Sequence, residues 1–223
     1  MIQEDFDPRL KWPFTSEIVG SSFSGKTTLL CNIIRNLEDV IDKVPDRIIY
    51  VYKVAQPFFD EFSQISFVND DNEILQIENI KKLNGLTWLI WDDCLPESEY
   101  LRLLYTVYLH HLNLSVTICL QNLFSKQVSA LREVSLNCHY LFLTRSPRAI
   151  DSIRIFAKQC FGSEHFRAFM EIYDNVMSDL FTYILVDTHP RSPFHHKVRT
   201  KILPKIDGPM ELFVLGKKNV KAN

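Results

Sequence analysis

Short apolar runs with little polar alternation recur along the chain, and between them lie longer stretches whose apolar residues return at spacings of three and four. The first pattern is that of strands covered on both faces, and the second is that of amphipathic helices. Strands are predicted over Ser16–Gly20, Arg47–Lys53, Ser66–Asn69, Thr87–Asp92, Ser115–Gln121, Cys138–Thr144 and Tyr183–Asp187. Helices are predicted over Thr27–Ile41, Glu97–His111, Pro147–Phe161 and Glu164–Asp179, with Pro147 placed where a first helical turn accepts proline. Strands alternating with helices predict an α/β fold whose central sheet is mostly parallel and flanked by helices. Residues 191–223 are more polar and carry Pro193, Pro204 and Pro209, so they read as a C-terminal extension or tail, and residues 1–14 as an N-terminal extension. With no internal repeat and no Gly/Ser linker, residues 15–190 are expected to form a single domain.

Composition narrows the functional classes. Hydrophobic residues make up 46% of the 223 and charged residues 23%, which excludes a disordered or low-complexity chain. Twenty-five Lys and Arg against 27 Asp and Glu leave a formal charge of −2, so no bulk positive field draws the chain onto nucleic acid and any such contact must be local. The five cysteines are odd in number, contain no C-x-x-C pair and lie mostly in apolar runs, the usage of reduced core thiols in cytosol or nucleus. Residues 1–7 lack the regions of a secretory signal, and no apolar run reaches bilayer length, so an unsecreted protein without a membrane partner is expected.

Chemistry enters at Gly20-Ser-Ser-Phe-Ser-Gly-Lys-Thr27, a G-x-x-x-x-G-K-[ST] sequence between a predicted strand and a predicted helix. Glycines let successive backbone N–H groups curl around a phosphate, and the helix N-terminus adds partial positive charge. Gly20, Ser21, Ser22, Phe23, Ser24, Gly25, Lys26, Thr27 and Thr28 are therefore the candidate nucleotide-binding set. Lys26 is assigned to the β- and γ-phosphates of ATP, and the Thr27 hydroxyl to Mg²⁺.

A second apolar strand, Leu86 to Trp91, ends in Asp92-Asp93, two acids at the carboxyl end of a buried strand, where open α/β sheets bind ligands. Asp92 is the expected outer partner of the Mg²⁺ held by Thr27, and Asp93 the expected base that polarises the attacking water. The strand Ser115–Gln121 closes in a polar amide, which makes Gln121 the candidate sensor of the γ-phosphate. Arg132 is the candidate arginine acting across a subunit boundary, with Arg145 and Arg148 competing for the role.

The order of Gly20–Thr27, Trp88–Asp93, the strand ending Gln121-Asn-Leu-Phe124, Arg132 with Asn137, and Leu141–Arg148 resembles viral genome-packaging ATPases of the FtsK/HerA superfamily. The nearest likeness is to the poxvirus-type enzymes also found in Polinton-like elements, and it runs roughly from Thr15 to Asp187. The resemblance implies a P-loop NTPase core of the additional-strand type (ASCE, RecA/FtsK-like). It further implies a homo-oligomeric, often hexameric ring around double-stranded DNA, read without sequence preference, that drives the genome into a capsid through capsid or portal-vertex proteins. In that family's terms the phosphate loop is Walker A and the acidic strand Walker B, and the site of action is the host cytoplasm or nucleus where virions assemble. In many relatives the second acid is Glu, where this chain has the shorter Asp93.

Three other classes use related machinery. A nucleotide or nucleoside kinase normally adds an arginine-rich lid and an acceptor site, neither of which the sequence places; a P-loop helicase-like ATPase shares the core; a GTP switch needs N-K-x-D, which is absent. An inactive capsid-associated protein is disfavoured by the intact Lys26, Thr27, Asp92 and Asp93. For DNA contact the candidates are the stretch Arg145 to Arg154 and the tail from Arg191 through His195, His196, Lys197, Arg199 and Lys201, in which Lys197, Arg199 and Lys201 alternate with Val198 and Thr200, whereas Lys217, Lys218 and Lys221 read as a frayed basic tail. That alternation predicts one face of a strand, either turned to DNA or serving as the charged outer face of an edge.

Overall fold

The computed structural model describes residues 6–124 and 131–215; the basic tail at Lys217, Lys218 and Lys221 lies outside them. Nine strands are described: β1 (Thr15–Val19), β2 (Arg47–Tyr52), β3 (Ile65–Asn69), β4 (Thr87–Trp91), β5 (Leu114–Leu120), β6 (Tyr140–Thr144), β7 (Tyr183–Asp187), β8 (Val198–Thr200) and β9 (Glu211–Phe213). The helices are α1 (Lys26–Arg35), α2 (Leu37–Val40), α3 (Ile77–Ile80), α4 (Ser98–Leu103), α5 (Leu109–His111), α6 (Leu131–Leu136), α7 (Ile150–Val176) and α8 (Pro204–Asp207). All nine strands form one sheet in the order β3-β2-β4-β5-β1-β6-β7-β8-β9. Neighbours from β3 to β6 run parallel, and β7, β8 and β9 are added antiparallel.

Strand side chains alternate between two apolar layers, which is why the strands read as continuous apolar runs. Ile18, Trp88, Ile90 and Phe142 pack on Leu30, Ile33 and Ile34 of α1. Their sequence neighbours Val19, Leu89, Trp91 and Leu143 pack on the opposite layer with Leu101 of α4 and with Phe156, Ala157 and Phe161 of α7. The predicted helix Thr27–Ile41 is interrupted at Asn36, whose non-helical backbone separates α1 from α2. The two helices predicted around residue 162 form one element broken at Gly162, whose φ of 69° and ψ of 176° are open to glycine and costly for other residues. Between α4 and α5 lies a π-helical turn, Leu104–Tyr108, from which the Tyr105 hydroxyl donates to the Ser16 carbonyl at 2.9 Å.

The C-terminal stretch supplies the antiparallel strands β8 and β9 to the sheet edge, and β8 corrects the expected basic strand face. Val198, Arg199 and Thr200 are all buried. Arg199, 1% exposed, pairs with Asp187, 2% exposed, at 2.5 Å, and its second terminal nitrogen donates to the Pro8 carbonyl at 2.8 Å. Asp187 also accepts from the His189 amide and the Ser192 hydroxyl. Arg199 therefore faces neither DNA nor solvent: a guanidinium taken from water needs a carboxylate and further acceptors, and this corner supplies them to its two terminal nitrogens, while Nε is buried without a hydrogen-bond partner among the described residues.

One buried group in β1 has no such compensation. Both carboxylate oxygens of Glu17 are enclosed without a hydrogen-bond partner among the described residues, and burial pushes its pKa from 4.5 up to about 8. The folded protein thus holds a proton here that the unfolded chain releases, so stability falls as pH rises from about 4.5 through about 8. Glu17→Gln, which removes the charge, is expected to flatten that slope; urea midpoints of both proteins between pH 5 and pH 8 would follow parallel lines if the carboxyl is not the cause.

Candidate functional site

At Val19 the chain leaves the sheet and turns into a loop hung between the two strands that flank β1. The Gly20 amide donates to the Leu120 carbonyl at the end of β5, at 3.0 Å. On the other side, the Ser21 amide and hydroxyl both donate to the Arg145 carbonyl just beyond β6, at 3.4 and 3.2 Å. Thr144 donates to the Val19 carbonyl at 3.1 Å, and the Ser24 and Thr144 hydroxyls are 2.7 Å apart. This closeness dictates glycine at position 20, where a Cβ would stand 1.8 Å from Thr144 Oγ1 and 2.6 Å from Ser24 Oγ. Gly25, at φ 91°, makes the left-handed turn that starts α1.

The first turn of α1 carries no acidic side chain, so its free N–H groups and partial positive charge face the loop uncompensated. Lys26 is buried and folds back over the loop, with Nζ donating to the carbonyls of Gly20 and Ser21 at 3.0 and 3.1 Å. One residue on, the Thr27 hydroxyl donates to Asp92 Oδ2 at 3.0 Å, joining α1 to the tip of β4. Tyr50 of β2 donates to the same oxygen at 2.6 Å. Burial, reinforced by the Asp92 carboxylate, holds the Tyr50 hydroxyl far above the usual tyrosine range, so it remains a donor.

Asp92 is 1% exposed, and its second oxygen, Oδ1, is buried with no hydrogen-bond partner among the described residues. A hydroxyl and a carboxylate with a spare oxygen form the hard donor set that suits Mg²⁺, so Thr27 and Asp92 fit that ion. Asp93 is exposed, with φ 53°, and lines a cavity of 580 Å³ together with Ser22, Phe23, Gly25, Lys26, Thr27 and Thr28. The structure thus brings the phosphate loop and both acids to one place.

Gln121 is exposed directly after β5, between the strands that lead to the loop and to the acids: Leu120 is in register with Val19, and Ile118 with Trp91. Arg132 is exposed on α6 and is not among the described residues lining this cavity. Arg145 is exposed at the end of β6, where its carbonyl anchors the loop, and Arg148 is exposed in the turn before α7. Four further contributors escape sequence reading: Tyr50, hidden in an apolar run; Thr144, a strand-terminal hydroxyl; and Gln56 and Phe181, which line the cavity from turns with no motif of their own.

No family model matches the chain, and no curated protein sequence matches it. Among solved structures the chain is similar to the genome packaging NTPase B204 of Sulfolobus turreted icosahedral virus 2 in complex with AMP. The TM-score is 0.52 and the identity 15%, over 84% of this chain and 96% of that one. The sulfate complex of the same protein gives a TM-score of 0.51 at 16% identity, over 78% and 91% of the two chains. What is shared at such identities is the architecture: a P-loop NTPase fold of the additional-strand type, in which β5 stands between the phosphate-loop strand β1 and the acidic strand β4.

Proposed function

We propose that this protein is an ATP-hydrolysing motor of the FtsK/HerA superfamily that moves double-stranded DNA into a viral capsid, acting as a homo-oligomeric ring seated on capsid or portal-vertex proteins. The observation that carries the reading is that the phosphate loop and Asp93 line one cavity while Asp92, buried beside it, accepts from the Thr27 hydroxyl. The likeness to a genome packaging NTPase, described in complex with AMP, supports both the nucleotide and the packaging role.

In this reading the amides of residues 20–27 and the Lys26 ammonium bind the β- and γ-phosphates. Thr27 and Asp92 hold Mg²⁺, which when bound neutralises charge on the phosphate oxygens. Asp93, exposed to the cavity, accepts a proton from the attacking water, and Gln121 senses the γ-phosphate from the neighbouring strand. Arg132, exposed on α6, is offered to the site of an adjoining subunit. With a formal charge of −2, a lone subunit holds DNA poorly, and grip comes from a few basic side chains on loops of the assembled ring.

The test is ATPase rate with and without long duplex DNA at low and moderate salt, with particle mass measured alongside. A DNA-stimulated oligomer is expected, with stimulation weakening as salt rises. In that oligomer, Arg132→Ala subunits mixed with Lys26→Ala subunits should recover part of the turnover each lacks alone. A monomer that passes phosphate to a small acceptor would make the protein a kinase instead.

A further inference from the structure

The acids and Gln121 all lie on the β4–β5 side of the phosphate loop, so a triphosphate reacting there points its γ-end to that side. Its α-phosphate and nucleoside must then leave toward the other flank, where β6 and β7 follow β1. On that flank, immediately before β7, stands Phe181. A Cβ built on Gly25 would lie 3.2 Å from a carbon of its ring, so the ring borders the start of α1.

Three properties of Phe181 are unusual for a phenylalanine. It is 72% exposed, although its ring lines the cavity that contains the phosphate loop. Its φ of 61° is left-handed, a conformation that costs an ordinary L-residue about 1–2 kcal/mol. The turn that imposes it is tied down: the Thr182 hydroxyl donates to the carbonyls of Val176 and Asp179 at 2.6 and 3.1 Å, fastening the link between α7 and β7. The fold therefore holds an aromatic face out toward solvent at the mouth of the site.

Phe181 also lines a second cavity, of 380 Å³. Asn175, Asp179, Asp207 and Glu211 line it, with Phe213 adding an apolar wall; Lys201, also in the lining, holds Glu211 Oε1 and Tyr183 donates to Asp207 Oδ2, which leaves Asn175, Asp179 and the second oxygens of Asp207 and Glu211 as the acceptors. Carboxylate and amide oxygens accept hydrogen bonds, which matches the exocyclic amino group of a nucleobase edge.

We propose that Phe181 and this second cavity form the nucleobase subsite: the base of the bound nucleotide stacks on the Phe181 ring and directs its amino edge between α7 and β9. The proposal rests on the nucleotide reading above and adds to it where the base goes and which residue holds it.

Calorimetric titration of ATP and of inorganic tripolyphosphate, which has phosphates but no base, separates the two claims. Base–aromatic stacking is worth about 1–3 kcal/mol, so Phe181→Ala is expected to weaken ATP binding about tenfold or more and to leave tripolyphosphate binding unchanged. Phe181→Trp is expected to retain ATP affinity, and its added indole fluorescence to change with ATP and not with tripolyphosphate. Equal losses for both ligands would mean that the ring only shapes the phosphate loop, and no loss for either would mean that the base lies elsewhere; each overturns the subsite alone. A native protein that binds neither ligand would overturn the nucleotide reading along with it.

Discussion

Lys26→Ala is expected to lower ATP turnover by about three orders of magnitude and to weaken nucleotide binding, while the fold melts within a few degrees of the parent. Phosphoryl transfer leaves a protein little covalent chemistry to perform, so positioning and charge stabilisation carry most of the acceleration. Deleting a single preorganised donor from such a site commonly costs about 10²–10³ in rate, and Lys26 adds a full positive charge to its donors. In the structure its ammonium spans the Gly20 and Ser21 carbonyls, held at the rim of the cavity and able to exchange them for phosphate oxygens. Alanine leaves those two loop carbonyls beside an open cavity where water can reach them, which keeps the structural cost small. Steady-state turnover and a thermal melt on the same preparation check both halves. Turnover above about a tenth of the parent's would remove Lys26 from the phosphate site.

Asp93→Asn is expected to retain nucleotide while hydrolysis falls by about 10²–10⁴, the usual contribution of a positioned general base. The substitution suits this position. At φ 53° most side chains are strained, whereas Asn enters the left-handed region readily, so the backbone at the tip of β4 stays in place. Alanine would combine a lost carboxylate with a backbone penalty and blur the result. Asp92 is the contrast: buried, bonded to Thr27 and Tyr50, it belongs to the frame that carries Asp93 into the cavity. Single-turnover hydrolysis beside equilibrium nucleotide binding measures the two effects separately. Hydrolysis at the parental rate would show that another group takes the proton.

Six of the seven strands legible in the sequence are buried on both faces, which erases polar alternation and leaves runs such as Thr87–Trp91, while the edge strand β3 shows its exposed Ser66 and Asn69 in the sequence itself. The three-residue β8 and β9 were too short to carry a pattern, and the alternation of Lys197, Arg199 and Lys201 misled because Arg199 turns inward to a carboxylate twelve positions earlier. The break at Asn36 ended α1 earlier than the apolar spacing alone implied.

At the site, Gly20–Thr27 and Asp92-Asp93 could be read because each is a contiguous motif with local backbone logic. Tyr50, Thr144 and Phe181 could not, since their roles depend on which strand ends the sheet order places side by side. Tyr50 meets Asp92 only because β2 is the neighbour of β4, and Thr144 meets Ser24 only because β6 adjoins β1.

That the loop is tied to β5 by Gly20 and to β6 by Ser21 and Ser24 has a mechanical corollary. The loop is a bridge with two separate abutments, and whatever it carries leans on both. In the nucleotide reading proposed above, loss of the γ-phosphate would unload the β5 abutment, and release of the nucleoside diphosphate the β6 one. Bond cleavage and product exit would then tug on opposite shoulders of the fold, in sequence and not together.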